Sequence, residues 1–146
     1  MSKRIEYKRA APDMFKAWLQ FDETVWSSSL DPALVDLIYI RVSMVNGCAY
    51  CVDSHTRDAL KRGQSERRLF GLAAWRETAF FTPRERAALA WADAVTRLTD
   101  GDVSDEVFAN VRAHFDDKQI MELTSAVVMI NAWNRLGISM RLPPAE

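Results

Sequence analysis

The sequence predicts an all-α protein, a bundle of six or seven helices. Apolar residues recur at intervals of three and four along most of the chain, and proline or capping residues begin several of these segments. No segment has the two-residue alternation of a convincing strand. Because no linker, low-complexity tract or repeat divides the 146 residues, we expect one domain that covers residues 1–146.

Seven segments follow the helical pattern. They are residues 12–26, 32–46, 48–63, 65–75, 83–98, 105–115 and 118–140. The first has Phe15 and Trp18 at helical spacing and ends before the three serines of residues 27–29. The second follows Asp31 as its N-cap and has Pro32 at its first helical position. Its β-branched residues also permit a strand, but its length and its cap favour a helix.

The later segments are bounded by turn and capping residues. The third begins after the Asn-Gly step of residues 46–47, and Gly63 suits the left-handed position that closes many helices. The fourth is short and follows Ser65. The fifth begins with a capping box, Thr-Pro-Arg-Glu, at residues 82–85. Ser104 caps the sixth, and the seventh is long and apolar.

The composition excludes several classes of function. Hydrophobic residues make up 49% of the chain and charged residues 27%, which is typical of a folded globular protein. With a net charge of −1, the chain has no general attraction for nucleic acid or an anionic membrane, so we expect neither partner. No apolar run has the length of a signal peptide or a membrane span. We therefore expect a cytoplasmic protein, in which paired cysteines are more often catalytic or metal-binding than structural.

The chain has two cysteines, Cys48 and Cys51, which lie three residues apart. This spacing indicates sulfur chemistry. If Cys48 begins its helix, its sulfur lies beside unpaired backbone N–H groups and the positive end of the helix dipole, which favour the thiolate. His55 lies one helical turn after Cys51, so its imidazole shares a face with both sulfurs and can accept a thiol proton. The spacing predicts thiol–disulfide exchange or peroxide reduction.

Other interpretations of the cysteine pair compete with this one. The two cysteines could be buried as small hydrophobic residues. Together with His55 they also offer three ligands to zinc, but a fourth ligand is not evident, and His114 lies far along the chain. Covalent haem attachment needs a histidine directly after the second cysteine, where this chain has Val52.

Several stretches of the sequence resemble a known family. Residues 36–56 read DLIYIRVSMVNGCAYCVDSHT, and residues 72–76, 80–89 and 130–135 read LAAWR, FFTPRERAAL and INAWNR. The first stretch resembles the core of the AhpD-like alkylhydroperoxidases, part of the carboxymuconolactone decarboxylase superfamily. The other three resemble stretches of its short, single-domain members. The resemblance covers most of the chain, and the cysteine motif is its most specific part.

This resemblance implies a set of site residues. Cys51 would attack the hydroperoxide and Cys48 would resolve it as a disulfide. His55 would belong to a proton relay with the acidic residue twelve positions before the first cysteine, which is Asp36 here and typically glutamate in the family. The first-studied members have a histidine immediately before the second cysteine, where this chain has Tyr50.

The expected function is therefore a cysteine-dependent peroxidase or disulfide reductase without a metal or a tightly bound organic cofactor. The resemblance implies a hydroperoxide substrate, a small dithiol or a lipoyl group on another protein as electron donor, and a homo-oligomer (dimer, trimer or hexamer). A second hypothesis is a redox-sensing or scaffold oligomer without useful turnover. The departures from the family pattern at Asp36 and Tyr50 motivate it.

Overall fold

The computed structural model of the chain describes residues 3–144. Within this range it has eight α-helices and no strand. The helices are α1 (Tyr7–Ala10), α2 (Pro12–Trp26), α3 (Pro32–Asn46), α4 (Ala49–Lys61), α5 (Glu66–Gly71), α6 (Pro83–Thr96), α7 (Asp105–Arg112) and α8 (Asp117–Ser139). Short 3-10 segments follow α5 and α6, at Leu72–Glu77 and Leu98–Asp100. The predicted all-α class is confirmed.

The number and division of the helices differ from the sequence-based prediction. The described residues hold eight helices rather than six or seven, because α1 is an additional helix of four residues. One turn is too short to show a periodic apolar pattern. The segment predicted at residues 65–75 is an α-helix only as far as Gly71. Its continuation is a 3-10 turn in which Ala74, with φ −120° and ψ 39°, leaves the helical region.

Helix α3 forms the centre of the fold. Every residue from 34 to 43 is buried, and the helix packs against α4, α6 and α8. The Asp31 carboxylate accepts a hydrogen bond of 2.9 Å from the Ala33 backbone N–H, which confirms the predicted cap. Burying a side chain such as Leu37 or Ile38 contributes about 2 kcal/mol. Contact on all sides therefore outweighs the modest β-propensity of this segment.

A second buried cluster, around Asp93, joins α3 to α6 and to the 3-10 segment that follows α5. Asp93 accepts hydrogen bonds from Arg41 Nε at 2.7 Å, from Arg76 at 2.7 Å and from Trp75 Nε1 at 3.2 Å. The Arg41 guanidinium also donates to the Ala73 carbonyl at 2.9 Å. Arg41 thereby satisfies a backbone carbonyl that the irregular 3-10 geometry leaves free.

The junction between α3 and α4 is closed by backbone hydrogen bonds. Gly47 adopts the left-handed conformation, with φ 69°, in which glycine carries no steric penalty. The Cys48 N–H bonds to the Ser43 carbonyl at 3.0 Å, and the Gly47 N–H bonds to the Met44 carbonyl at 3.3 Å. These two bonds form a Schellman motif, which satisfies the last carbonyls of α3. The Cys48 carbonyl then accepts the Val52 N–H at 2.9 Å as the first bond of α4.

Candidate functional site

The two cysteines lie at the start of α4. Cys48 is the N-cap residue of α4, whereas the sequence suggested that it is the first residue of the helix. Its side chain accepts no hydrogen bond from the first turn. Cys51 lies one turn further, inside the helix. Their Cα atoms are 5.4 Å apart, within the range that a disulfide spans, and the two sulfurs are paired. Both residues are buried, with exposed fractions of 1% and 2%.

Gly137 of α8 packs directly against this cysteine pair. A Cβ atom at this position would lie 3.0 Å from the Cys48 Sγ and 3.6 Å from the Cys51 Sγ. A side chain at this position would therefore have to displace the Cys48 sulfur by a few tenths of an ångström. Nothing in the one-dimensional pattern marks Gly137 as part of the site, because it lies inside a long helical segment.

An asparagine network fixes α8 beside the end of α3. The Asn46 side-chain amide donates to the Oδ1 atoms of Asn131 at 3.0 Å and Asn134 at 2.9 Å. Asn134 is fully buried, and its amide donates to the Ser43 hydroxyl at 2.9 Å. Buried polar networks of this kind hold one arrangement when every member is satisfied. This network sets the register that brings Gly137 onto the sulfurs.

Two cavities flank the cysteine pair. Cys48 lines a cavity of about 450 Å³ between the start of α4 and the chain that follows α8. Cys51 and His55 line a second cavity, of about 220 Å³, between α2, α4 and α8. Tyr50, which is 39% exposed, and Leu142 contribute to both cavities. The two cysteines therefore line different cavities, although the sequence spacing suggested that they share one face.

His55 is the titratable base beside Cys51. Its ring packs edge-on against Tyr39, with the ring centroids 5.0 Å apart. Burial lowers the pKa of His55 below its usual value, and the carboxylates of Asp22, Asp58 and Asp36 only partly oppose this effect. The imidazole is therefore neutral near pH 7 and can accept a proton.

Asp22 of α2 is a site residue that the sequence-based prediction missed. It lines the cavity of Cys51 and His55, and its Oδ1 accepts hydrogen bonds from the Tyr39 hydroxyl at 2.8 Å and from Trp133 Nε1 at 3.0 Å. Burial, followed by the charge of Asp22, raises the pKa of Tyr39, so this phenol stays protonated. One signal in the sequence could have identified Asp22. It lies one helical turn from a tryptophan on either side, on the apolar face of α2.

Asp36 lies apart from both cavities. It is fully buried in α3, and the Arg62 guanidinium binds both of its oxygens, with the Nε–Oδ2 distance at 3.0 Å. Arg62 in turn lies over the Trp26 ring, 4.8 Å from its centroid. Within residues 3–144, no hydrogen bond joins Asp36 to His55. The structure thus brings together Cys48, Cys51 and His55, and it turns Asp36 towards Arg62.

Two further features of the described chain bear on function. Between residues 3 and 144, no group of three or more histidine, cysteine, aspartate or glutamate side chains is arranged to hold a metal ion. In the same range, none of the helices is both long enough and apolar enough to cross a bilayer.

The fold and the cysteine motif define the class to which the protein belongs. Residues 12–94 match the carboxymuconolactone decarboxylase family, and this match contains the whole segment from Asp36 to His55. The chain therefore belongs to the carboxymuconolactone decarboxylase family.

Individual relatives extend the similarity over the whole chain. YdfG of Bacillus subtilis strain 168 is 40% identical over 140 residues, which are 96% of this chain and 95% of YdfG. The crystal structure of ATU0492 from Agrobacterium tumefaciens is 39% identical, with a TM-score of 0.96 over 99% of each chain. ATU0492 is a protein of unknown function with a suggested role in antioxidant defence as AhpD.

A more distant structure shares the fold. The alkylhydroperoxidase AhpD core of a peroxidase-related protein from Ralstonia eutropha JMP134 is 22% identical, with a TM-score of 0.84. The match covers 96% of this chain and 75% of the Ralstonia chain. These similarities confirm the resemblance to AhpD-like proteins, a group that includes peroxidase-related members.

Proposed function

We propose that the protein is a cysteine-dependent peroxidase that reduces organic hydroperoxides. The observation that carries this proposal is the cavity shared by Cys51 and His55. Cys48 lies within disulfide-bonding distance of Cys51. The cavity also has apolar walls, among them Phe15 and Leu136, which suit a hydrocarbon group on the peroxide. Membership of the carboxymuconolactone decarboxylase family supports the same chemistry.

In the first step, the Cys51 thiol gives its proton to the neutral imidazole of His55. The thiolate attacks the outer oxygen of the hydroperoxide, and the O–O bond breaks. The leaving alkoxide takes the proton from the imidazolium and departs as the alcohol. The peroxide has gained two electrons, and Cys51 has become a sulfenic acid.

In the second step, the Cys48 sulfur attacks the sulfur of the sulfenic acid. The disulfide forms, and the departing hydroxide combines with the Cys48 proton to give water. A dithiol donor, either a small molecule or a dihydrolipoyl group on another protein, then reduces the disulfide. We propose the cytoplasm as the compartment, because its reducing conditions sustain such a donor.

The role of Asp36 in this cycle is electrostatic in our proposal. Arg62 occupies both oxygens of Asp36, so this carboxylate acts on His55 through its charge and not by direct proton transfer. Asp22 is the carboxylate that lines the same cavity as His55, and we assign to it the place in the relay that the resemblance gives to Asp36.

We also propose that the protein acts as a homo-oligomer, as the family resemblance implies. Several apolar side chains of α2 and α8 are exposed and available for contact with another subunit. They include Met14 and Met121, which are 63% and 65% exposed. Sedimentation velocity measures the assembly state, and a monomer at micromolar concentration would contradict this proposal.

Peroxide turnover by cysteine variants tests the function. With cumene hydroperoxide and excess dithiothreitol, Cys51→Ser is expected to lower the rate by about 100-fold or more, because the nucleophile is lost. In a separate assay without dithiothreitol, Cys48→Ser is expected to consume a single equivalent of peroxide and then to accumulate the sulfenic acid, which mass spectrometry detects. Ser54→Ala, which changes the same cavity without touching a sulfur, is the matched control and is expected to retain most of the rate.

Equal background rates for the wild type and both cysteine variants would sink the enzyme proposal. If the wild-type pair then still cycled between dithiol and disulfide as peroxide was added, the redox-sensing hypothesis would take its place.

A further inference from the structure

The larger cavity beside the cysteine pair is not used by the peroxide step. Cys48 lines it, and Cys51 does not. We infer that this cavity binds the reducing dithiol, and that Arg141 at its wall favours dithiols that carry a carboxylate. The inference rests on the proposed function and specifies the donor that the same cysteine pair accepts.

The size and lining of the cavity suit a small dithiol. Its volume of about 450 Å³ lies within the range of about 300 to 1,000 Å³ that is typical of small-molecule sites. Most of its walls are apolar and accommodate a hydrocarbon stem. The apolar side chains that line it are Ala49, Ile138, Leu142, Pro143 and Pro144.

Arg141 is the one charged residue among those that line this cavity in the described part of the chain. Its guanidinium makes no ion pair with any residue between 3 and 144. An arginine guanidinium can bind a ligand carboxylate through paired hydrogen bonds. The cavity therefore combines apolar walls with one charged residue, Arg141, and one cysteine, Cys48.

The end of α8 places Arg141 at the wall of this cavity. Arg141 has φ 54°, the left-handed conformation in which glycine is the usual residue. The turn is closed by a bond of 2.9 Å from the Leu142 N–H to the Gly137 carbonyl, so the chain bends back over the sulfurs at this point. Together with the bond of 3.2 Å from the Arg141 N–H to the Ile138 carbonyl, this bond forms a Schellman motif that ends α8, like the one that ends α3.

The reduction follows two balanced exchanges. The first donor thiol gives its proton to water, and the resulting thiolate attacks the Cys48 sulfur. A mixed disulfide forms, and Cys51 leaves as a thiolate that takes a proton from water in the other cavity. The second donor thiol attacks the donor sulfur of the mixed disulfide and releases Cys48 as a thiolate, which takes up the remaining proton. The donor loses two electrons and two protons, and the protein disulfide gains both.

A pair of donors that differ only in charge tests the inference. Dihydrolipoate and dihydrolipoamide have the same dithiol, but the first ends in a carboxylate and the second in a neutral amide. With cumene hydroperoxide saturating, the wild type is expected to give a kcat/KM about three- to fivefold higher for dihydrolipoate, as for a charge contact at an accessible wall. The preference is expected to shrink as the salt concentration rises.

Variants assign this preference to Arg141. Arg141→Gln is expected to bring the ratio of the two donors to about one, and Arg141→Lys is expected to retain part of the preference. Lys8→Gln removes a cation from the cavity of Cys51 and is expected to leave the ratio unchanged. An unchanged ratio in Arg141→Gln, or equal use of the two donors by the wild type, would overturn the inference.

The same measurements separate this inference from the proposed function. If neither donor supports peroxide turnover above the rate of Cys51→Ser, the proposed function fails. If both donors support turnover at equal rates, the function stands and the assignment of the cavity to anionic dithiols fails.

Discussion

Asp22 and Asp93 each accept a hydrogen bond from an indole N–H, but they differ in their other neighbours. Asp93 is bound by Arg41 and Arg76 as well as by Trp75. Asp22 is bound only by neutral donors among the described residues, the Tyr39 hydroxyl and the Trp133 indole. Two carboxylates in similar hydrogen-bonding positions therefore carry different electrostatic surroundings.

This difference separates Asp93, whose carboxylate stabilises the fold, from Asp22, whose charge acts on His55. The charge of Asp93 is compensated by guanidinium groups, which together with the indole lower the pKa of Asp93 against the opposing effect of burial. The charge of Asp22 has no cationic hydrogen-bond partner among the described residues, and it partly opposes the lowering of the His55 pKa by burial. The neutral donors thus hold the Asp22 carboxylate in place without compensating its charge, and this charge acts on the neighbouring His55.

The largest expected effect is the loss of stability in Asp93→Ala. Removing this carboxylate leaves Arg41 buried without a counter-ion, which is expected to lower the free energy of unfolding by about 3 to 5 kcal/mol. Asp22→Asn keeps the size of the side chain and removes no ion pair, so we expect a cost of about 1 kcal/mol. Urea denaturation measures both, and similar losses in the two variants would contradict the division of roles.

The second effect concerns the pKa of His55 in Asp22→Asn. A nearby negative charge stabilises the imidazolium, so its removal is expected to lower the pKa of His55 further. The acid limb of peroxidase activity should then move to lower pH. NMR titration of the imidazole measures the pKa, with His114→Gln to assign the two histidine signals.

A matched control on the same helix is Asp13→Asn, an exposed change at the start of α2 that is expected to leave the titration of His55 unaltered. An unshifted pKa in Asp22→Asn would contradict the role of Asp22.

Because the folded protein binds the His55 proton less readily than the unfolded chain, stability should fall as the pH drops below about 6.5 and towards the folded pKa.

The smallest effects come from single hydrogen-bond partners of the two carboxylates. Tyr39→Phe removes one of the two donors to Asp22 and is expected to lower the free energy of unfolding by about 1 kcal/mol. Arg76→Gln removes an arginine that is 56% exposed, for which we expect about 0.5 kcal/mol. Thermal or urea unfolding of both variants checks this order, and a larger loss in Arg76→Gln would reverse it.

Much of the fold could be predicted because its signals are local. The cap at Asp31 and the capping box at Thr82 have the hydrogen bonds that the sequence implies. The long apolar segment that became α8 also has a capping box, at Asp116. The 3-10 turn after α5 could not be predicted, since it depends on Arg41, a residue from another helix that binds its carbonyls.

The candidate site was predictable only where its residues are neighbours in sequence. Cys48, Cys51 and His55 share one helix and its N-cap, so their spacing identified them. Asp22 and Gly137 reach the site from α2 and α8, and their contribution depends on how these helices pack. The partner of Asp36 could not be inferred either, because Arg62 reaches it from the opposite end of α4.

The backbone of Cys48 has a consequence for the energetics of the proposed redox cycle. Its N–H ends α3 and its carbonyl starts α4, so main-chain bonds hold this residue whether or not the two sulfurs are joined. Reduction should therefore leave the two helices where they are and require little reorganisation energy. The free energy change of each proposed cycle then comes from the bonds between sulfur, oxygen and hydrogen and not from movement of the helices.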